Sequence, residues 1–236
     1  MKKVVIFDLY NTVLKDGFFS FDHAMEELYH AYFEEKCTFE EFMEYEKKLN
    51  AKLIPYNAKI AGFRGVKEPY ELEKMRKAQA ITDAAFAEIL GRVKVGMTEK
   101  ELCAELIYCL LKNGGEGLSF DPIVVSGPNT SVPHGVAGDR VIQPGDFITM
   151  DFGAVYQGYC ADMTRTVAVG FATDEMKKVY ETVLAAQKAG IAATKAGVKG
   201  KDIDGAARKV ITDAGYGSYF GHGYGHGLGL EVHENP

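Results

Sequence analysis

Between Glu71 and Leu90 apolar residues recur at helical spacing: Leu72, Met75, Ala78, Ile81, Ala85 and Ile89 share one face, with Lys and Glu between them. A long amphipathic helix is predicted there. Thr98 followed by Glu101 is a capping-box signature and opens a second helix to Leu111, which Asn113-Gly114-Gly115 ends. Two alternating segments then flank a turn at Tyr156-Gln157, and two further helices are expected over roughly 174–193 and 201–213. A glycine-rich strand comes last. Helices grouped around a hairpin in this way predict an α+β domain with helices packed on an antiparallel sheet. Near the start, Lys3 to Leu9 reads as a strand and Phe21 to about Leu53 as helix. Pro55-Tyr56-Asn57-Ala58 is a break, so 1–58 and 59–236 read as separate units.

The hairpin carries the strongest chemistry. A two-residue loop at Tyr156-Gln157 would set Val155 opposite Gly158 and Asp151 opposite Asp162. Facing residues have Cβ atoms about 4.5 to 5.5 Å apart. Two carboxylates at that distance repel unless a cation lies between them, and a pair of divalent metals about 3.5 to 4 Å apart would fit. Thr149, Gly153, Cys160, Thr164 and Thr166 fall on the same face, whereas Ile148, Met150, Phe152, Ala161, Met163 and Val167 fall on the other. Two solvated aspartates on a half-exposed hairpin are the plainer alternative, which the apolar neighbours Phe147, Ile148, Met150 and Phe152 weigh against.

From Phe220 to Pro236 the chain holds His222, His226 and His233, half of its six histidines, within a run that has glycine at every second position from 221 to 229. Alternate glycines clear one face of an extended strand for close approach by another backbone or a ligand. An imidazole beside carboxylates suits a borderline metal such as manganese, cobalt or zinc. His226 and His233 reach one site only if the chain bends between them. A fourth feature is the loop from Val125 to Gly135, rich in Ser, Pro and Asn, which presents His134 after a proline.

Charge and composition narrow the function class. The 47% apolar content suits a soluble core, and a net charge of -6 gives no basic surface for nucleic acid. No apolar run is long enough to cross a bilayer. The four cysteines form no CxxC pair, so they read as reduced, buried thiols of a cytoplasmic protein.

Taken in order, SGPNTSVPHG, DFGAVYQGYCADMTRT and GHGYGHGLGLEVHENP resemble the pita-bread (creatinase/aminopeptidase-like) metallopeptidases, in the Xaa-Pro aminopeptidase and prolidase branch, from about residue 62 onward. The resemblance implies that Asp151, Asp162 and His226 ligate two divalent metal ions, with Mn2+ expected and Co2+ or Zn2+ as alternatives. It implies that His134 and His233 are catalytic residues lining the substrate cleft, and that a metal-bound hydroxide hydrolyses the peptide bond before proline. The implied partners are a proline-containing peptide and a second copy of the chain. Family members supply two further glutamate ligands after the histidine run. A chain ending at Pro236 therefore reads as an incomplete pita-bread domain with impaired activity.

Residues 1–58 resemble the start of a haloacid-dehalogenase-like (HAD-like) hydrolase, a short βα segment with Asp8 in the nucleophile position. Two other functions follow as alternatives: a non-catalytic binding or scaffold module with the peptidase fold, and an HAD-type hydrolase using Asp8.

Overall fold

The chain divides into two units, Met1–Tyr56 and Asn57–Pro236. The computed structural model describes residues 37–41, 44, 62 and 64–234. The strand at Lys3 to Leu9 and the Asp8 position lie outside these residues. In the first unit, Thr38 caps a helical stretch: its N–H donates to Glu41 Oε2 at 2.9 Å and its hydroxyl accepts from Glu41 N–H at 3.3 Å. The helical pattern read from Phe21 to about Leu53 does not hold at Cys37 and Thr38, which are non-helical; the Thr-x-x-Glu cap opens a helical stretch after them.

In the second unit α1 spans Pro69–Leu90, with Pro69 where its missing N–H has no intrahelical acceptor to lose. Its buried face is Ala78, Ile81, Thr82, Ala85 and Ile89. The Thr82 hydroxyl donates to Ala78 O at 2.9 Å and accepts from Ala154 N at 3.0 Å, tying helix to sheet without an unsatisfied polar atom. Helix α2 covers Glu99–Lys112 behind the expected capping box: Thr98 Oγ1 accepts from Glu101 N at 3.2 Å, and Glu101 Oε2 accepts from Thr98 N at 2.7 Å.

Six short strands follow: β1 (Gly117–Leu118), β2 (Ile123–Ser126), β3 (Phe147–Phe152), β4 (Ala154–Tyr156), β5 (Tyr159–Cys160) and β6 (Met163–Ala168). They form two antiparallel sheets, ordered β1-β4-β5 and β2-β3-β6. One face of β3 buries Ile148, Met150 and Phe152 with Ile81, Ile89, Leu102, Leu106 and Val124 from the helices and β2. Helices α3 (Asp174–Ala193) and α4 (Gly200–Asp213) pack on each other around Ala186, Ala207 and Ile211.

Two expectations are corrected. The turn lies at Gln157-Gly158, where φ is +47° and +80°, so Tyr156 pairs with Tyr159 and Asp151 with Thr164 rather than with Asp162. Left-handed geometry at both central residues matches the strand twist, and glycine accepts it at little cost. The last segment is not a strand: residues 220–233 are irregular apart from the isolated bridge Gly227↔Glu234. No disulfide joins the four cysteines, all among the described residues; Cys109 and Cys160 are buried, and Cys37 and Cys103 only partly so.

Candidate metal centre and peptide cleft

Asp151 projects from β3 on the face opposite the buried Met150 and Phe152, and Thr164 across the ladder donates its hydroxyl to Asp151 Oδ1 at 2.7 Å. Asp162 sits in the break between β5 and β6. If the observed register is carried through that break, Asp162 falls opposite Gly153, diagonal to Asp151 on the same face. Gly153 makes this possible: a Cβ there would lie 1.7 Å from Ala161 O, so only glycine admits the close strand crossing. Burial pushes the Asp162 carboxyl above the usual carboxylate range and the neighbouring Asp151 charge adds to the effect, against the opposing influence of His226 and His233.

His226 Nε2 stands 3.3 Å from Asp162 Oδ2. Its ring lies 4.1 Å from that of His233, centroid to centroid. The bend needed to bring the two histidines together is supplied by the reciprocal Gly227–Glu234 hydrogen bonds at 2.8 and 2.9 Å. The Glu234 carboxylate in turn accepts from Arg64 Nη2 at 2.6 Å and Lys67 Nζ at 2.8 Å, and Gly229 leaves it room, since a Cβ there would lie 2.7 Å from both of its oxygens. Cys160 N donates to Gly229 O at 2.8 Å and fastens the run to β5. Further back, Arg208 donates to the carbonyls of Phe220 and His222, and Asp204 accepts from Tyr224 N. The Tyr224 ring occupies the space a side chain on Gly190 of α3 would fill.

Asp162, His226 and His233 are therefore gathered in one place with Asp151 beside them. His134 is exposed in the loop after the 3₁₀ turn Gly127–Ser131, and among the described residues no hydrogen bond or ring contact joins it to that group. His222 is also exposed and edges against Phe220. The supporting residues Thr164, Gly153 and Glu234 were not singled out from sequence for these roles. Thr164 had a signal, a threonine two positions along the same strand face, whereas the reach of Glu234 to Arg64 and Lys67 has none in local spacing.

Two carboxylates and an imidazole suit a borderline divalent metal in kind. Among the described residues, however, no three His, Cys, Asp or Glu side chains are placed to hold a metal ion together, and Asp162 lies against His226.

Known proteins share this fold. An X-Pro aminopeptidase from Thermotoga maritima superposes with a TM-score of 0.78 at 45% identity, over 86% of this chain and 58% of that one. An uncharacterized peptidase of Bacillus subtilis, YqhT, is 46% identical over 187 residues, 79% of this chain and 53% of its own length. A Xaa-Pro dipeptidase of Pyrococcus horikoshii is 41% identical over 194 residues, 82% of this chain and 55% of its own. The chain spans about half the length of the curated relatives it matches. Its α+β arrangement is that of the pita-bread peptidases, in part. Residues 73–236 match metallopeptidase family M24, and the chain belongs to that family.

Proposed function

We propose that the protein hydrolyses the peptide bond before proline, as an Xaa-Pro aminopeptidase or dipeptidase. The observation that carries the reading is the 3.3 Å contact of His226 with Asp162 and the packing of His233 against His226, in a chain of a metallopeptidase family whose relatives include Xaa-Pro dipeptidases. Asp151, Asp162 and His226 would hold two divalent ions, manganese first among them. When bound, the ions would polarise the peptide carbonyl and lower the pKa of water. Thr164 fixes one oxygen of Asp151. His233, packed against His226, and His134, on its exposed loop, would donate to the scissile peptide and stabilise the charge that develops on its carbonyl oxygen.

Residues 59–236 form the proposed catalytic domain. The absence of any disulfide among Cys37, Cys103, Cys109 and Cys160 favours a reducing compartment such as the cytoplasm, and no described helix is long and apolar enough to cross a membrane. Self-association with a second copy is part of the reading, supported by the exposed Tyr180, Val183 and Ile191 on α3, and sedimentation velocity measures it.

The test is hydrolysis of Gly-Pro and of longer Xaa-Pro peptides after manganese or cobalt addition. Chelator-sensitive turnover that Asp162→Ala abolishes is the expected result. Bound metal without turnover would favour the non-catalytic module, a second reading supported by the absence, among the described residues, of three side chains placed to hold an ion.

A further inference from the structure

Glu99 opens α2 and is fully buried, a rare place for a carboxylate unless it is paired or well hydrogen-bonded. Four donors surround it. Oε1 accepts from Ser126 N at 2.7 Å, from the Ser126 hydroxyl at 2.9 Å and from Asn129 Nδ2 at 3.1 Å, and Oε2 accepts from Gly138 N at 3.0 Å. Burial alone pushes the Glu99 carboxyl upward, but the donors from Gly138, Ser126 and Asn129 together hold it below the usual carboxylate range.

The positions of these donors matter more than their number. Ser126 is the last residue of β2, and Gly138 lies on the far side of the loop that contains His134. One buried group therefore grips both ends of the loop. Backbone bonds from Glu99 N to Arg140 O and from Lys100 N to Gly138 O reinforce the far end. The Ser126 hydroxyl also accepts from Arg140 Nη1 at 2.5 Å, and Arg140 forks onto Asp146 at 2.6 and 2.9 Å, which sets a positive charge one hydroxyl away from Glu99. Gly127, at φ +52°, makes room for that guanidinium: a Cβ there would lie 2.3 Å from Arg140 Nη2. An apolar side chain would fill the space beneath α2 without any desolvation cost. The particular consequence of the carboxylate is the closure of the loop.

We propose that Glu99 is a positioning residue, whose buried carboxylate clips Ser126 to Gly138 and so fixes the loop conformation that presents His134 to the peptide. The assignment rests on the reading of His134 as a substrate-contacting residue. Holding both loop ends removes conformational freedom that binding or reaction would otherwise have to remove.

The experiment compares the protein and its Glu99→Gln variant, both labelled with 13C at histidine Cε1 and with signals assigned by single histidine substitutions. Glutamine keeps the volume but turns one acceptor oxygen into a donor facing other donors. The His134 signal is expected to shift or broaden while those of His226 and His233 hold. With manganese added, kcat/KM for an Xaa-Pro peptide should fall by about 10-fold or more, because small misplacements of a contacting group carry costs up to about 100-fold. Glu99→Gln combined with His134→Ala should be no slower than His134→Ala alone, since the two act through one group. A folded Glu99→Gln variant with an unmoved His134 signal overturns the proposal, as do three histidine signals moving together or fully additive losses. Absence of any turnover in the parent protein would count against the peptidase reading instead, and the His134 signal then decides the clip by itself. Should Glu99→Gln not fold, Asn129→Ala removes one donor of the clip and is judged by the same signal.

Discussion

At the level of single residues, Thr164 shows how a side chain outside the expected set supports those within it. Its hydroxyl donates to Asp151 Oδ1 at 2.7 Å while the rest of the residue is exposed, so little of the core depends on it. Thr164→Val keeps the β-branched shape and removes only the donor. Groups that orient metal-binding side chains in this way typically matter by about 10 to 100-fold in metal affinity or activity. Manganese titration of Thr164→Val is expected to show a loss in that range with an unchanged urea midpoint. Unaltered manganese affinity would mean that Asp151 needs no help from its neighbour, or is no ligand.

Among the elements, helices and strands differed in how much of them the sequence displayed. Helices α1 to α4 begin and end within two residues of expectation, because periodicity and caps such as Thr98–Glu101 are local. Strand register was not local in the same sense. It turned on whether Gln157 would accept a positive φ beside Gly158, and it did, moving the turn by one residue. Each strand's facing set survived that error, because the pairing shifted by one residue on both strands together and parity was kept. Carried through the break between β5 and β6, that register sets Asp162 diagonal to Asp151 rather than opposite it. The histidine run misled more. Alternating glycine imitates a strand, yet what shapes the segment is Arg208, Asp204, Cys160 and Glu234, whose partners lie far away in sequence. Gly153 is where this strand geometry is most exposed to test. A methyl placed 1.7 Å from Ala161 O cannot be absorbed by a rotamer change, so the two strands must separate. Gly153→Ala is expected to destabilise the domain by about 3 kcal/mol, the upper part of the range for overpacked sites, read as a lower urea midpoint. A midpoint within experimental error of the parent would show that the crossing relaxes easily.

Across the whole second unit, the proposed centre joins pieces that otherwise belong to different packing groups. Asp151 on β3 and Asp162 between β5 and β6 belong to the sheet region whose buried side rests on α1 and α2, whereas the segment bearing His226 is fastened upstream to α3 and α4 through Tyr224, Arg208 and Asp204. Between the two groups stand the Asp162–His226 contact, the Cys160–Gly229 hydrogen bond and the Glu234 clamp onto Arg64 and Lys67. An ion shared by Asp151, Asp162 and His226 would add a cross-link that only the folded chain can make, and so would raise stability by mass action. At a metal concentration 100 times the dissociation constant the gain is about 2.7 kcal/mol, which for a chain of this size corresponds to roughly 5 to 10 °C in Tm. Calorimetry with saturating manganese should show that rise in the parent protein and lose it in Asp162→Ala. Because the ion would bridge the two packing groups, the rise should come with sharper, more cooperative unfolding. An equal rise in Asp162→Ala would place the binding elsewhere on the molecule and remove the main support for Asp162 as a ligand.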